Sequence, residues 1–182
     1  MPRPLKYTIL IDNREKRPLT FPDAITILDP NTPAASRTAV WVHLDVPPPR
    51  QLKTADYVLG EDKANVYTLG RGAVVERKFT LDEIATNLFV PRRRRLFVDQ
   101  LKRMREAWDH PVLVFEGGLQ RLYTPTKHVE DPGVVVSSLL RLGFEYGISI
   151  LPIPSTTTAQ RRLLAEHVAQ ILVNGALVHA AA

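Results

Sequence analysis

The stretch from residue 73 to residue 78, Ala-Val-Val-Glu-Arg-Lys, is a short apolar run that ends in three charged side chains. Its two valines are β-branched and favour a strand, and side chains along a strand alternate between its two faces. Glu76 and Lys78 are therefore expected on one face, and Arg77 on the other. A carboxylate beside an ammonium at the end of a buried strand fits phosphodiester cleavage, in which the carboxylate holds a divalent metal and the lysine lies near the developing charge.

The same charged residues also fit a strand end in solvent, because short charged runs are frequent in proteins. The residues that follow favour a site. Thr80 and Glu83 have the spacing of a helix capping box, and apolar residues then recur at helical spacing. The charged residues therefore lie at a strand-to-helix junction, where the sites of α/β proteins are common. Asp56, where a loop runs into another apolar segment, is the best candidate for a second carboxylate.

Several segments of the chain, taken in order, resemble elements of the XPF-type structure-selective nucleases. Asp56, followed by Glu76-Arg77-Lys78 and Asp82, is similar to that family's GD…ERKxxxD signature. The other matching segments are Ile11–Glu15, similar to its V-D-x-R-E element, Arg95–Leu101, similar to its R-L-x-x-Q-L helix, and Pro111–Gly117, similar to the strand after that helix. Together they span roughly residues 7–172. The sequence departs from the family's pattern at two points. Ala55 stands where the family has glycine, and the tandem helix-hairpin-helix module that usually follows the nuclease domain is not present in this sequence.

The resemblance implies an α/β fold with a restriction-endonuclease-like core, which is a mixed central β-sheet flanked by α-helices. It implies one nuclease domain over residues 1–182, with a core at roughly residues 7–174. The order of the predicted elements, with strands first and alternating helices and strands afterwards, indicates the same fold class.

The resemblance also implies roles for the charged residues. Asp56 and Glu76 would bind Mg²⁺ or Mn²⁺, and Lys78 would lie near the scissile phosphate. Arg77 would give either its backbone carbonyl to the metal or its side chain to the local structure. These four residues are the predicted centre of the site.

Three further acids support this centre in the same resemblance. Asp12 and Glu15 would lie at the rim of the metal site, and Asp82 would hold one of the two basic residues of the 73–78 stretch. The local sequence fits a second interpretation equally well, in which Arg14 and Glu15 are loop charges and Asp12 caps a turn. Arg14 is also a candidate DNA contact.

The densest charge in the chain is the run Arg92-Arg93-Arg94-Arg95, which precedes an amphipathic pattern. Arginines at a helix start oppose the helix macrodipole, so helix stability does not explain them. Phosphate contact does, because guanidinium groups match phosphate oxygens. The net charge of +5 and the pI near 9.7 also fit a polyanionic partner such as DNA. The alternative is a solvated basic face.

The chain has no cysteine, which excludes disulfides, cysteine-bound zinc and a thiol nucleophile. Its first residues lack the apolar core of a signal peptide, and no apolar run is long enough to span a bilayer. These features predict a soluble intracellular protein of the cytoplasm, nucleoid or nucleus, without a membrane partner.

Local patterns predict further elements. The sequence indicates strands from Tyr7, over residues 39–46 and over residues 148–153, a hairpin at residues 60–72 and an irregular segment at residues 120–130. One helix begins at Asp131-Pro132 and stops at Gly147. Another begins with a second capping box, Thr157 and Gln160, and ends at Asn174-Gly175.

The resulting functional prediction is a Mg²⁺- or Mn²⁺-dependent DNA endonuclease that acts on branched, flapped or otherwise structured DNA. Two alternatives stay open, namely another metal-dependent nuclease on the same core, such as a junction resolvase or an end-processing enzyme, and a non-catalytic DNA-binding scaffold subunit. The last two predicted helices have more apolar positions than a single buried stripe needs, which predicts a homodimer through these C-terminal helices. The residues concerned are Val134–Val136, Leu139, Leu140, Leu142, Leu163, Leu164, Ile171 and Leu172.

Overall fold

A computed structural model describes residues 5–28, 39–60 and 72–180 of the chain. Within these ranges the secondary structure begins with strands and continues as helices alternating with strands. The elements are β1 (Leu5–Ile11), β2 (Ala24–Leu28), β3 (Ala39–Asp45), β4 (Tyr57–Leu59), β5 (Ala73–Lys78), α1 (Leu81–Phe89), α2 (Pro91–Ala107), β6 (His110–Phe115), α3 (Gly118–Leu122), α4 (Pro132–Tyr146), β7 (Ser149–Pro152) and α5 (Thr158–Ala180). None of the described helices is long and apolar enough to cross a membrane.

The strands of the described residues form one mixed sheet in the order β2-β3-β1-β4-β5-β6-β7. The pairs β5–β6, β6–β7 and β1–β3 are parallel, and the pairs β2–β3, β1–β4 and β4–β5 are antiparallel. Helices flank both faces of this sheet, so the predicted α/β architecture is confirmed. All six residues of β5 are buried, since this strand lies inside the sheet between β4 and β6.

The sheet separates two hydrophobic cores. Val74 packs in the core on the side of α1, α2 and α4, where Ile84 and Leu101 are buried. Val75 packs in the core on the side of α5, together with Leu164. Because neighbouring side chains alternate along a strand, β5 contributes to both cores and directs its last three residues to both faces.

The predicted helix boundaries agree with the structure at most positions. Thr80 Oγ1 accepts the N–H of Glu83 at 3.1 Å, and the Glu83 carboxylate reaches back to the N–H of Phe79 at 3.0 Å. Thr157 and Gln160 form the same reciprocal arrangement before α5. At its end, α4 stops at Gly147, which has a φ of 63° and so occupies the left-handed region that suits glycine.

Three elements differ from the sequence predictions. The strand β2 was not predicted, and α3 begins at Gly118 and extends into the segment 120–130 that was predicted to be irregular. Of the predicted hairpin at residues 60–72, residues 61–71 lie outside the described residues. The prediction that the last helix ends at Asn174-Gly175 is wrong, because α5 continues to Ala180. Gly175 instead permits close packing on β5, since a Cβ at this position would lie 2.4 Å from the Cβ of Ala73.

Candidate active site

The last residues of β5 place an acid and a base together on the α1–α2 side of the sheet. The Nζ of Lys78 donates to Oε1 of Glu76 at 2.7 Å, and both side chains are buried. The same ammonium lies 3.4 Å from Oε1 of Glu83 and 5.5 Å from the ring centroid of Phe97. Lys78 is therefore held between two carboxylates and an aromatic ring.

Asp56 lies beside this pair because its backbone and its carboxylate both contact β5. Its N–H donates to the carbonyl of Val75 at 3.2 Å, and its Oδ2 accepts the N–H of Arg77 at 2.8 Å. The carbonyl of Asp56 accepts the N–H of Asp12 at 2.9 Å. The end of β5 thus carries one carboxylate of its own and a second one from the residue before β4.

The surroundings of the two carboxylates disfavour their charged forms. Burial, followed by the charge of Glu76, raises the pKa of Asp56 well above its ordinary value. Burial likewise raises the pKa of Glu76, although Lys78 partly offsets it. For Lys78, burial alone would lower the pKa, but the charges of Glu76 and Glu83 outweigh burial and raise it. One lysine therefore does not fully compensate the two acids, and a further cation would stabilise their charged forms.

Gln100 of α2 completes the surroundings of Glu76. Its Nε2 donates to Oε2 of Glu76 at 2.6 Å and lies 3.4 Å from the carbonyl of Thr54. Both carboxylate oxygens of Glu76 are thereby held, one by Lys78 and one by Gln100. Gln100 is not among the predicted site residues, although it lies in the Arg95–Leu101 segment that carries part of the family resemblance.

The donor set suits a hard divalent ion that keeps part of its water. Among the described residues, no three His, Cys, Asp or Glu side chains are grouped so that they could hold a metal. Asp56 and Glu76 offer two carboxylates. Mg²⁺ is commonly bound by one or two carboxylates together with several waters and substrate phosphates, and Mn²⁺ prefers the same oxygen ligands. The residues present fit such an ion, but they do not form a complete protein cage.

Arg77 points to the opposite, α5 side of the sheet and binds there to acids. Its NH2 lies 2.6 Å from Oε1 of Glu15 and donates to the carbonyl of Arg17 at 2.6 Å, and its NH1 contacts Glu116. The Arg77 side chain is only 4% exposed. Of the two predicted roles for this residue, the side chain has the structural one, and the metal contact of its carbonyl stays a prediction.

Glu116 follows β6 and is a buried acid that is not among the predicted site residues. It is 1% exposed, and it contacts Arg77, the hydroxyl of Ser155 at 3.0 Å and the NH1 of Arg161 at 3.4 Å. A lone acid directly after a run of five apolar residues, Pro111–Phe115, is the signal that could have revealed it. A buried carboxylate needs partners, and here arginines supply them.

The acids predicted to support the site lie at different places. The carboxylate of Asp12 is bound by Arg14, whose Nε donates to its Oδ2 at 2.8 Å, and Glu15 pairs with Arg77 on the α5 side. Asp82 accepts the hydroxyl of Thr126, and among the described residues no ion pair joins it to Arg77 or Lys78 as predicted. The next residue of α1, Glu83, contacts Lys78 instead, since it is the one that turns back over the helix start.

The arginine run lies on the first turns of α2, where Arg92, Arg93, Arg94 and Arg95 are all exposed. Gln100 follows on the same helix. At about 1.5 Å of rise per residue, the run lies roughly 8–12 Å along the helix axis from the residue that contacts Glu76. The run and the site thus belong to one region of the molecule.

Comparisons with known proteins agree with this architecture. The family model for the ERCC4 domain matches residues 44–169, whereas no curated protein matches the sequence. A solved structure of XPF from Aeropyrum pernix has 21% identity and a TM-score of 0.53 over 90% of this chain and 60% of that one. The structure of XPF from Aeropyrum pernix in complex with DNA has 19% identity and a TM-score of 0.53 over 92% of this chain and 66% of that one.

The chain therefore spans less than two thirds of the two XPF chains that it matches. At these identities the likeness establishes a shared fold, which is the fold that the sequence resemblance implied. The family model covers more than half of the chain and includes the whole stretch from Asp56 to Glu116. The chain belongs to the ERCC4-domain family.

Proposed function

We propose that this chain is a metal-dependent DNA endonuclease of the XPF type, which cleaves phosphodiester bonds in branched, flapped or otherwise structured DNA. Two findings support a DNA nuclease. The chain belongs to the ERCC4-domain family, and it shares its fold with XPF from Aeropyrum pernix, of which one of the two solved structures is a complex with DNA. The observation that carries the proposal is the cluster at the end of β5, in which the half-buried Asp56 and the buried Glu76 lie beside Lys78 and lack full charge compensation.

Asp56 and Glu76 would hold the metal ion, with the carbonyl of Arg77 as a further oxygen ligand. When bound, Mg²⁺ or Mn²⁺ supplies Lewis-acid stabilisation of the phosphate. Lys78 would place its ammonium near the negative charge that develops on the phosphate, because its partner Glu76 keeps it at the metal-binding edge. Gln100 would fix the orientation of Glu76, which is the usual role of a hydrogen-bond donor behind a metal ligand.

The three supporting acids act on the scaffold of the site in this proposal. Asp12 holds Asp56 through its backbone N–H and is itself neutralised by Arg14. Glu15 fixes the buried Arg77. Asp82 attaches the first turn of α1 to the segment that contains Thr126.

The first experiment incubates the purified protein with labelled flap, fork, junction and single-stranded DNA, with Mg²⁺, Mn²⁺ or EDTA. Cleavage with either metal but not with EDTA supports the proposal. Asp56→Ala and Glu76→Ala should abolish cleavage and metal binding. Lys78→Ala should retain metal binding but lower the cleavage rate by about 10²–10³-fold.

The exposed Glu106 of α2 provides the matched control, since Glu106→Ala should cleave like the wild type. If Lys78→Ala cleaves as fast as the wild type, the role assigned to Lys78 is wrong. DNA binding without cleavage under any metal condition would favour the scaffold subunit. Cleavage confined to junctions or to DNA ends would favour the resolvase or the end-processing enzyme.

The arginine run of α2 would contact the DNA backbone. The combined replacement of Arg92, Arg93, Arg94 and Arg95 by glutamine should weaken DNA binding and flatten its salt dependence. Each phosphate that the variant no longer neutralises lowers the slope of log affinity against log salt by about 0.9 on duplex DNA. An unchanged slope would show that the run faces away from DNA.

A homodimer is the proposed assembly. On α4, Val134, Leu140 and Phe144 are 53%, 42% and 83% exposed, and Leu163 of α5 is 52% exposed. Sedimentation at micromolar concentration should give a dimer, and Phe144→Glu should shift it towards the monomer. A clean wild-type monomer near 20.5 kDa that retains nuclease activity would contradict the proposal.

A further inference from the structure

An open cavity of about 580 Å³ lies beside the start of α5, on the opposite side of the sheet from Glu76 and Lys78. Three arginines, four hydroxyl-bearing side chains and one phenylalanine line it, and none of these lining residues is acidic. They are Arg17, Phe79, Arg121, Ser155, Thr156, Thr157, Thr158 and Arg161. Positive charge and hydroxyl donors around an open cavity indicate an anionic ligand.

Two of the three arginines of this cavity, Arg17 and Arg121, are not paired with an acid of the described residues, whereas Arg161 contacts Glu116. The guanidinium of Arg17 lies 5.0 Å from the ring centroid of Phe79, which holds it in place. Across residues 5–28, 39–60 and 72–180, no carboxylate forms an ion pair with Arg17 or with Arg121. Both side chains can therefore bind a ligand.

Arg161 is the deepest of the three and shares its acid with another arginine. Glu116 contacts both Arg161 and the buried Arg77, and Arg77 also binds Glu15. Burial lowers the pKa of Arg161, and the charges of Arg77 and Arg17 lower it further. The excess of positive charge at the cavity is therefore that of Arg17 and Arg121, and an anion in the cavity would relieve it.

The cavity lies at the same end of β5 as the proposed active site. Phe79, which lines it, directly follows Lys78 in the chain. Lys78 faces the α1–α2 side, whereas the cavity opens on the α5 side. A DNA strand that passes over this end of β5 would therefore meet the cleavage site on one side and the cavity on the other.

We propose that this cavity binds a backbone phosphate of the same DNA strand that is cleaved, on the far side of β5 from the scissile bond. The inference rests on the proposed function, because it takes DNA as the ligand. Guanidinium groups match the geometry of phosphate oxygens, and the positive end of the 23-residue α5 adds a favourable field at the cavity.

The test is the double variant Arg17→Gln/Arg121→Gln, measured by DNA binding in EDTA so that no DNA is cleaved. Its affinity for single-stranded DNA should fall about tenfold or more, which is the effect of removing hydrogen bonds to charged groups. The slope of log affinity against log salt should fall by about 0.7 for each phosphate of a single strand that the variant no longer neutralises. The variant Arg17→Lys/Arg121→Lys should recover most of the slope, since it restores the charge.

Arg141→Gln is the matched control. Arg141 is exposed near the end of α4 that leads into the start of β7, which places it at the opposite end of the sheet. This variant should bind DNA like the wild type. Arg121→Gln alone guards against misfolding, because the exposed Arg121 has no ion-pair partner among the described residues. It should melt like the wild type and show part of the decrease in affinity.

Internal and terminal phosphates are distinguished by using three DNAs, namely a circular single strand, a linear strand with a 5′-hydroxyl and a linear strand with a 5′-phosphate. The proposal expects the same decrease in affinity on all three. A decrease confined to the 5′-phosphorylated strand would overturn it in favour of a site for DNA ends. A wild-type slope on all three would overturn it altogether.

Failure of the cavity and failure of the proposed function give different results. If the wild type cleaves DNA with Mg²⁺ while the double variant keeps the wild-type slope and KM, the cavity proposal is wrong and the nuclease stands. If the wild type does not cleave DNA but the double variant has a reduced slope, the nuclease is wrong and the cavity remains a DNA phosphate site. In a working nuclease, the double variant should raise KM more than it lowers kcat.

Discussion

The two faces of β5 carry buried charges of opposite character. On the α1–α2 face, Glu76 and Asp56 have one principal cation between them, and burial raises the pKa of both carboxyl groups. On the α5 face, Arg77 lies between two acids, Glu15 and Glu116, and donates to a backbone carbonyl as well. The first face has uncompensated negative charge, whereas the second has close ion pairs on both sides of its cation.

This difference distinguishes the candidate metal site around Glu76 from the ion pairs around Arg77 that support the fold. Removing one partner of a buried ion pair lowers the stability of the protein strongly, because the remaining charge is then buried without a partner. Buried acids that share too little positive charge are unfavourable for folding, but they favour the binding of a metal ion. In the proposed function, Glu76 would serve metal binding, whereas the adjacent Arg77 serves the stability of the fold. Substitutions on the two faces should show this contrast.

The largest effect on stability is expected on the α5 face. Glu116→Ala removes one of the two acids that bind Arg77 and the only acid that binds Arg161 among the described residues. Breaking a buried ion pair on one side costs about 3–5 kcal/mol, so the free energy of unfolding should fall by that amount. Urea denaturation measures it.

The exposed Glu106 again serves as the control, and Glu106→Ala should change the free energy of unfolding by less than about 0.5 kcal/mol. A similarly small change in Glu116→Ala would contradict the comparison, since it would show that the α5 face does not depend on its ion pairs.

The second effect concerns activity and tests the α1–α2 face. Gln100→Ala removes the donor to Oε2 of Glu76 and leaves Lys78 on Oε1. Loss of a donor behind a metal ligand typically costs about 10–100-fold in activity or metal affinity. We expect this decrease in cleavage rate or in Mn²⁺ affinity, with a melting temperature near that of the wild type. A large decrease in stability with normal Mn²⁺ affinity would assign Gln100 to the scaffold.

The sequence allows the α1–α2 face to be predicted better than the α5 face. The alternation of side chains along residues 73–78 is enough to place Glu76 with Lys78, because a strand has a fixed period of two. Asp56 follows from the need for a second carboxylate. These three residues depend on local geometry and on the chemistry of one site.

The α5 face depends on contacts between residues that are distant in the chain. Glu116 and Arg161 come from the end of β6 and from α5, and they meet Arg77 only after the sheet is formed. No local period predicts such a meeting. Gly175 shows the same limit, because an Asn-Gly pair near a helix end predicts a stop, whereas here the glycine permits contact with Ala73.

The third effect tests how tightly α5 packs on β5. In Gly175→Ala, the new Cβ would lie 2.4 Å from the Cβ and 2.7 Å from the N of Ala73. Overpacking costs about 1–3 kcal/mol, and the helix preference of alanine returns up to about 1 kcal/mol, so a net decrease of about 1–2 kcal/mol in the free energy of unfolding is expected. Val178→Ala, at an exposed position of the same helix, is the control. A Gly175→Ala protein as stable as the wild type would mean that α5 packs loosely.

The smallest effect is a change in how stability depends on pH. Removing a carboxylate usually makes a protein less stable as pH rises, whereas removing that of Asp56 should make it more stable. Folding raises the pKa of Asp56. At pH values between the ordinary pKa of an aspartate, about 4, and the raised pKa, the folded state therefore binds more protons than the unfolded state. The free energy of unfolding therefore falls as pH rises through this window, and the decrease persists above it. Asp56→Asn lacks this contribution, while the amide oxygen still accepts the N–H of Arg77.

In EDTA, the free energy of unfolding of Asp56→Asn should therefore rise relative to that of the wild type between acid and neutral pH. Urea denaturation of both proteins at a series of pH values measures the difference. Saturating Mn²⁺ should stabilise the wild type alone, because a ligand that binds the folded state shifts the equilibrium towards it, and should thus reverse the order of the two proteins. A difference that is flat or falls with pH would mean that Lys78 already compensates both acids, and the contrast between the two faces of β5 would then disappear.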